Sequence, residues 1–321
     1  MKIYACTEGR SGQVDAVSLE MIAAARSLAR DGDDVIAFFA GSAAADAAGK
    51  FGTADRLVAA IAPEADIVVA GTYARQLCDV IAAEGAGIVV VPYSANGLDV
   101  ASSVAARLDW PLVSYVEKIA RDGQSLSVVA QLYGGKVLAD CSVPLPAVLM
   151  VNPGAFAEAT ATPLSPERID TIDIAELVAA SRVRPISIDL PDFSDVDLKA
   201  AERIVCVGRG IGDEASIDLA RDLAALLGAE IAGSRPVVDN GWLPKLRQVG
   251  KSGQKVKPKL YMALGVSGAP EHLEGMGQSD MIIAVNTDPK APIFNVAHYG
   301  ATCDLFELMS SLSERLQPSD T

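Results

Sequence analysis

Aromatic residues, histidines and paired cysteines are all scarce in this 321-residue sequence, which has 5% aromatics, two His and five Cys. The cysteines (Cys6, Cys78, Cys141, Cys206, Cys303) are scattered, with no C-x-x-C pair. That spacing argues against zinc, iron–sulfur ligation and a disulfide framework, and suits small apolar side chains in a reduced core. Positive charge is short as well. With 27 Lys and Arg against 41 Asp and Glu the formal net charge is −14, which argues against non-specific nucleic-acid binding, a property of clustered cations. No apolar run approaches the ~20 residues that span a bilayer, so a membrane-embedded chain is not expected. Met1–Cys6 runs straight into a polar turn at Glu8-Gly9-Arg10, which leaves too little apolar length for a secretory signal. A soluble, cytoplasmic protein is expected.

What is present is an aliphatic sequence, 50% hydrophobic and rich in Ala and Val. Its length suits two domains, and its composition suits open α/β sheets covered by Ala-rich helices. Ile3–Thr7, Asp34–Phe39, Asp66–Ala70 and Gly87–Val91 are short apolar runs, and Val17–Arg30 and Tyr73–Glu84 have helical spacing. Buried Ile/Val runs separated by helices predict a parallel, doubly wound sheet. The texture then changes. Leu112–Ala120, Ser125–Leu132, Lys136–Val143 and Ala147–Val151 are β-type segments joined by short turns, which predict an antiparallel extension. Residues 152–200 are rich in Pro, Asp and Ser and read as a linker holding one strand, Pro185–Leu190. The expected domains are therefore 1–195 and 196–321. The second opens on a strand, Arg203–Val207, then Gly208–Gly212, a helix from about Asp213 to Leu227, strands Leu260–Leu264 and Met281–Val285, and a helix Asp304–Leu316.

The strand–glycine–helix unit at 203–227 invites a dinucleotide-fold reading, since glycines and a helix N-terminus receive phosphate. Asp213, however, stands where the third fingerprint glycine belongs, and a carboxylate there repels a phosphate. The stretch Gly233–Trp242 is more informative. Arg235, between Gly-Ser and Pro, has a constrained backbone that can aim a planar cation at an anionic ring; a surface salt bridge is the plainer alternative. Gln248–Lys255 is a polar loop, and Leu264–Ala269 places two glycines and a hydroxyl at the end of a strand, where α/β sheets bind ligands. His272 follows. A partly charged imidazole beside a ligand carbonyl would stabilise negative charge arriving there.

Taken in order, these segments resemble the alpha subunits of electron-transfer flavoproteins and their FixB-type relatives. That family carries S-R-x-x-V-D-x-G followed by Trp or Phe, here within Gly233–Trp242. A Q-V-G loop follows at Gln248–Gln254, then P-x-L-Y at Pro258–Tyr261, a glycine–serine–histidine segment at Gly265–Met276, and N-x-D-P-x-A-P-I-F within Ile283–Phe294. Tyr299-Gly300 closes the series, and Leu132–Lys136 is the best landmark in the first half. The resemblance implies two doubly wound α/β domains. The N-terminal one packs on a separate beta subunit, and the C-terminal one is Rossmann-like and binds FAD. It implies that Arg235 sits over the isoalloxazine ring, with Gln248, Val249 and Gly250 lining it, Ser252 near its N5/O4 edge and His272 by its O2 carbonyl. Gly265, Ser267 and Gly268 would approach the ribityl–pyrophosphate stretch, and Asn286 and Asp288 would serve the adenosine half. The implied function is electron transfer from flavin dehydrogenases to a quinone reductase or other acceptor.

Four positions depart from the family pattern. His298 replaces an Asp, Pro270-Glu271 precede His272, and Lys251 adds a positive charge. Two alternatives stand beside electron transfer: a bifurcating variant with a second flavin in the beta subunit, and a non-redox nucleotide-binding regulatory subunit. A self-contained dehydrogenase is disfavoured, because the third fingerprint glycine and a proton-transfer dyad are both missing.

Overall fold

Uninterrupted apolar runs become strands with both faces covered. The computed structural model describes residues 1–10, 13–62, 68–186 and 197–317. The chain divides into two units, Met1–Ile188 and Asp189–Thr321. The first runs β1 (Lys2–Cys6), a short hairpin β2 (Gly9–Arg10) and β3 (Gln13–Val14), α1 (Ala16–Leu28), β4 (Asp34–Gly41), β5 (Arg56–Ile61), α2 (Ala70–Glu84), β6 (Gly87–Pro92) and α3 (Ala95–Leu108). It continues with β7 (Leu112–Asp122), β8 (Ser125–Leu132), β9 (Val137–Pro144), β10 (Ala147–Val151), β11 (Ile169–Asp173) and α4 (Ala175–Ala179).

Nine of these strands form one sheet in the order β11-β5-β4-β1-β6-β10-β7-β8-β9. Pairing is parallel from β11 to β7 and antiparallel from β7 to β9. The parallel sheet and its antiparallel extension both follow the sequence pattern. Every residue of β6 and β10 is buried, whereas β9 alternates toward solvent. Alternate residues of the central strands feed two cores. Ile3, Ala5, Val90 and Leu149 pack with Met21 and Ile22 of α1, while Tyr4, Cys6, Val89 and Val91 pack with Leu77 of α2 and Val100 of α3.

One expectation is corrected: Ala147–Val151 does not continue the antiparallel extension. It returns to the sheet as β10 between β6 and β7, parallel to both, with Leu149 opposite Val90 and Val113. The reason is solvation, because an all-apolar strand gains most where both faces are covered. The strand read at Asp66–Ala70 is also absent from its described part, where Ala70 already opens α2; residues 66 and 67 lie outside the described residues. The strand preceding α2 is instead β5, which carries Ala59 and Ala60, poor strand formers that hid it. Helix α3 was also missed. Its signal was Ser94, whose hydroxyl accepts the Gly97 N–H at 2.8 Å as an N-cap. The strand read at Pro185–Leu190 lies largely outside the described residues.

The second unit has β12 (Arg203–Val207), α5 (Ile217–Leu227), β13 (Glu230–Gly233), α6 (Arg235–Asp239), β14 (Leu260–Leu264), α7 (Pro270–Met276), β15 (Ile282–Val285), β16 (Tyr299–Ala301) and α8 (Leu305–Leu316). Its five strands are all parallel, ordered β13-β12-β14-β15-β16. Helices α5 and α8 cover one face through Leu223, Ala224 and Met309. The other face is covered by loops and α7, through Val249, Met276 and Ile293. The helix read from Asp213 begins only at Ile217; Asp213 instead accepts the Ser216 N–H at 2.8 Å in the turn before it.

Leu149 is fully buried at the centre of the first sheet. Leu149→Ala should destabilise this unit by about 2–5 kcal/mol, the usual cost of a buried Leu truncation. Urea denaturation of the whole chain would read this as an earlier transition; a midpoint left unchanged would contradict the central placement of β10.

Candidate functional site

The chain leaves β12 toward β13 on one side and later resumes on the other side with β14, so the strand order reverses between β12 and β14. Open α/β sheets bind ligands at the carboxyl ends of the strands beside such a reversal. Here that crevice is filled by main chain. A Cβ on Gly208 would lie 2.1 Å from the Gly265 carbonyl oxygen, and the Gly210 N–H donates to that same oxygen at 3.2 Å. The Gly208–Gly212 turn thus serves close packing, and α5 starts well after it. The polar loops lie at the neighbouring strand ends.

The first loop cluster joins Arg235, Gln248–Ser252 and His272. Gly233 ends β13 and accepts the Val249 N–H at 3.0 Å, tying the Gln248 loop to the segment that carries Arg235. On the other side the Lys251 N–H donates to the Glu271 carbonyl at 2.7 Å. Gly250 holds φ +139°, and a Cβ on Gly275 of α7 would fall 2.5 Å from it. Gln248 is 1% exposed. Both ends of its amide are engaged, the oxygen accepting from Lys245 Nζ at 2.8 Å and the nitrogen donating to the Ser252 hydroxyl at 2.8 Å. Val249 and Gly250 are buried; Ser252 is exposed. Nothing in the sequence pattern pointed to Arg247, which is buried and donates to the Ile231 carbonyl at 2.8 Å.

Arg235 is the first residue of α6, with a side chain 69% exposed and its Nε 3.2 Å from Asp239 Oδ2. An exposed pair of this kind contributes only about 0–1 kcal/mol. The guanidinium can therefore be redirected to a stronger anionic partner at little cost.

His272, in the first turn of α7, is 7% exposed. Its Nε2 lies 3.0 Å from the Tyr261 hydroxyl, and its buried Nδ1 makes no well-formed hydrogen bond among the described residues. Burial pushes the imidazole down to about 4, against a weaker opposite pull from the Val249 carbonyl. The ring is thus neutral at pH 7, not partly charged as the sequence suggested. Any influence on a nearby anion is that of an N–H dipole.

The second cluster holds Gly265, Ser267, Gly268, Asn286 and Asp288. Asn286 Nδ2 donates to the Val266 carbonyl at 2.9 Å, and the Asp288 N–H donates to Asn286 Oδ1 at 3.0 Å. Gly268 has φ +83°, and a Cβ on it would sit 2.2 Å from the Ile293 nitrogen. The Ser267 carbonyl accepts that same Ile293 N–H at 3.1 Å. Ser267 and Asp288 are exposed. Along the chain, α7 lies between the two parts of the second cluster, with Ser267 and Gly268 before it and Asn286 and Asp288 after it, and it carries His272 of the first.

A family model described as the electron transfer flavoprotein domain matches residues 4–177, and one described as the electron transfer flavoprotein FAD-binding domain matches residues 197–277. The electron transfer flavoprotein subunit alpha of Methylophilus methylotrophus is 33% identical, over 98% of this chain and 99% of that protein. Protein FixB of Clostridium saccharobutylicum is 32% identical, over 97% and 94%. The lactate dehydrogenase (NAD(+),ferredoxin) subunit LctC of Acetobacterium woodii is 34% identical, over 94% and 73%. The chain belongs to the electron transfer flavoprotein alpha-subunit family.

Its second unit is accordingly the FAD-binding domain of an electron transfer flavoprotein. The departures from the family pattern acquire physical roles in this light. Glu271 is exposed, and Lys251 is matched by Glu274 at 3.4 Å, so neither brings an unscreened charge into the flavoprotein's loop cluster. His298 remains an acceptor: its Nδ1 takes the Ile282 N–H at 2.9 Å at the entry to β15. No helix among the described residues is long and apolar enough to cross a membrane.

Two outcomes follow from this geometry. Gly268→Ala forces a Cβ into the Ile293 backbone at a positive φ, and should lower both the melting temperature and the flavin content of purified protein; normal values for both would contradict the packing. For His272, the native pKa of about 4 lies below the ordinary 6.5. As pH falls from 6.5 toward 4 the unfolded chain takes up a proton that the native one refuses, so stability drops, by about 3 kcal/mol in full. Denaturation midpoints measured across that range should fall with pH, and His272→Gln should flatten the fall.

Proposed function

We propose that the second unit holds FAD across its two loop clusters and that the chain works as the alpha subunit of a heterodimeric electron carrier. Three observations support this reading of the site. The unpartnered His272 Nδ1 is a hydrogen-bonding atom left over in an otherwise satisfied loop cluster. Glycines at positive φ (Gly250, Gly265, Gly268) let the main chain come close to neighbouring backbone or a ligand. The donor set is an exposed guanidinium, hydroxyls and a neutral imidazole, which suits a planar group that gains negative charge and carries a pyrophosphate.

In this reading bound FAD supplies the redox chemistry, accepting and releasing electrons. Arg235 leaves its weak pair with Asp239 and holds positive charge against the ring. Gln248, locked by Lys245 and Ser252, keeps the loop of Val249 and Gly250 rigid beside it, and Ser252 offers its hydroxyl to the ring edge. His272 contributes a neutral dipole near the pyrimidine carbonyl. Gly265, Ser267 and Gly268 approach the ribityl–pyrophosphate stretch, and Asn286 and Asp288 serve the adenosine half. The domain division at about residue 195, a cytoplasmic location, and electron exchange with flavin dehydrogenases and a quinone reductase or other acceptor belong to the same proposal. The beta subunit is the partner that the family supplies.

The carrying observation is Arg235, a cation on a constrained turn, held among the described residues by one exposed pair. Arg235→Ala should leave FAD bound but lower its midpoint potential by on the order of 50 mV, close to a tenfold change in a one-electron equilibrium. Spectroelectrochemical titration of the heterodimer would measure this. An unchanged potential would favour a non-redox nucleotide-binding role instead.

A further inference from the structure

Behind His272 lies a short buried polar chain that the flavin reading does not use. Tyr261 sits in β14 and is fully buried, as is Cys206 in the adjacent β12. The thiol lies beside the phenol, and the phenol oxygen is 3.0 Å from His272 Nε2. Burial pushes the thiol up to about 12, and burial and then Cys206 push the phenol well above its ordinary value, so both keep their hydrogens at neutral pH.

The direction of the central hydrogen bond follows from the chemistry of its ends. A neutral imidazole has one N–H and one lone-pair nitrogen, and the lone pair is a much better acceptor than a phenol oxygen, whose electrons are drawn into its ring. A phenol O–H is in turn the better donor. The Cys206 thiol is directed at the Val207 carbonyl, 4.0 Å away, so it does not compete for the imidazole lone pair, and the phenol hydrogen is left for it.

We propose that Tyr261 is a positioning residue: it donates its hydroxyl hydrogen to His272 Nε2 and so fixes the imidazole as the tautomer with its proton on Nδ1. His272 then offers a fixed N–H donor from its other nitrogen. The importance of that donor for electron transfer rests on the reading of His272 as part of the flavin site; the tautomer itself does not.

The chain contains only two histidines, and the structure assigns them opposite tautomers. His298 Nδ1 accepts the Ile282 N–H at 2.9 Å, so its proton belongs on Nε2. The test is a nitrogen NMR spectrum at pH 7 of the heterodimer with 15N-histidine in this chain alone, with H298Q assigning the two rings. The expected pattern is a protonated Nδ1 and bare Nε2 for His272, with the reverse for His298. A coupling between the Tyr261 hydroxyl hydrogen and His272 Nε2 is expected too. Y261F should collapse the His272 pattern toward a mixture and leave His298 unchanged. A proton on His272 Nε2 in the unaltered protein, or the same single tautomer surviving in Y261F, would overturn the proposal. Should Y261F not fold, absence of the hydroxyl coupling in the unaltered protein overturns it as well. Flavin absorbance of the same sample is read separately: a colourless heterodimer would sink the FAD reading and leave the tautomer result standing.

Discussion

Main chain against main chain at Gly208 and Gly265 is the constraint on which the candidate site depends. A methyl group on Gly208 would lie 2.1 Å from the Gly265 carbonyl oxygen, and no side chain could relax away from that overlap. The contact fills the place where a phosphate would rest in a doubly wound sheet. It also aligns the start of the Gly265–Gly268 loop, whose own glycine at 268 packs onto Ile293. Ligand-facing polarity is thereby left to the loops at the flanking strand ends.

Those loops are held without long helices. Helices α6 and α7 are short, and the Gln248–Gln254 loop is ordered by backbone bonds to Gly233 and Glu271 on its two sides. Each buried polar group in it, from Gln248 to Arg247, finds a partner, as burial of polar atoms demands. His272 Nδ1 is the exception. Against this rigid frame the exposed Arg235–Asp239 pair is a weak link, and weakness there is useful, since a cation meant for a ligand should not be firmly bound elsewhere.

Much of the fold was legible in the sequence because buried parallel strands leave an unmistakable trace. β12 and β14 were bounded to the residue, and β1, β4 and β6 to within two, since their apolar runs are continuous and flanked by polar turns. β5 was missed because alanines dilute its strand character, and β13, α6 and β16 because each is only a few residues long. The family motifs named the segments of the candidate site with their order and spacing. They were silent on Arg247 and gave Tyr261 only as a motif letter, because a buried arginine or tyrosine reads like any other until its partners are known.

Residue order alone therefore determined the α/β class, the antiparallel extension and the family, since these rest on local periodicity and on motif spacing. Tertiary structure alone decided where β10 belongs, because a strand's neighbours are set by which surfaces remain to be covered. It also decided that Gly208–Gly212 packs against Gly265 and that His272 is neutral and bonded to Tyr261. Those facts depend on distance and desolvation, and neither quantity exists until the chain has folded.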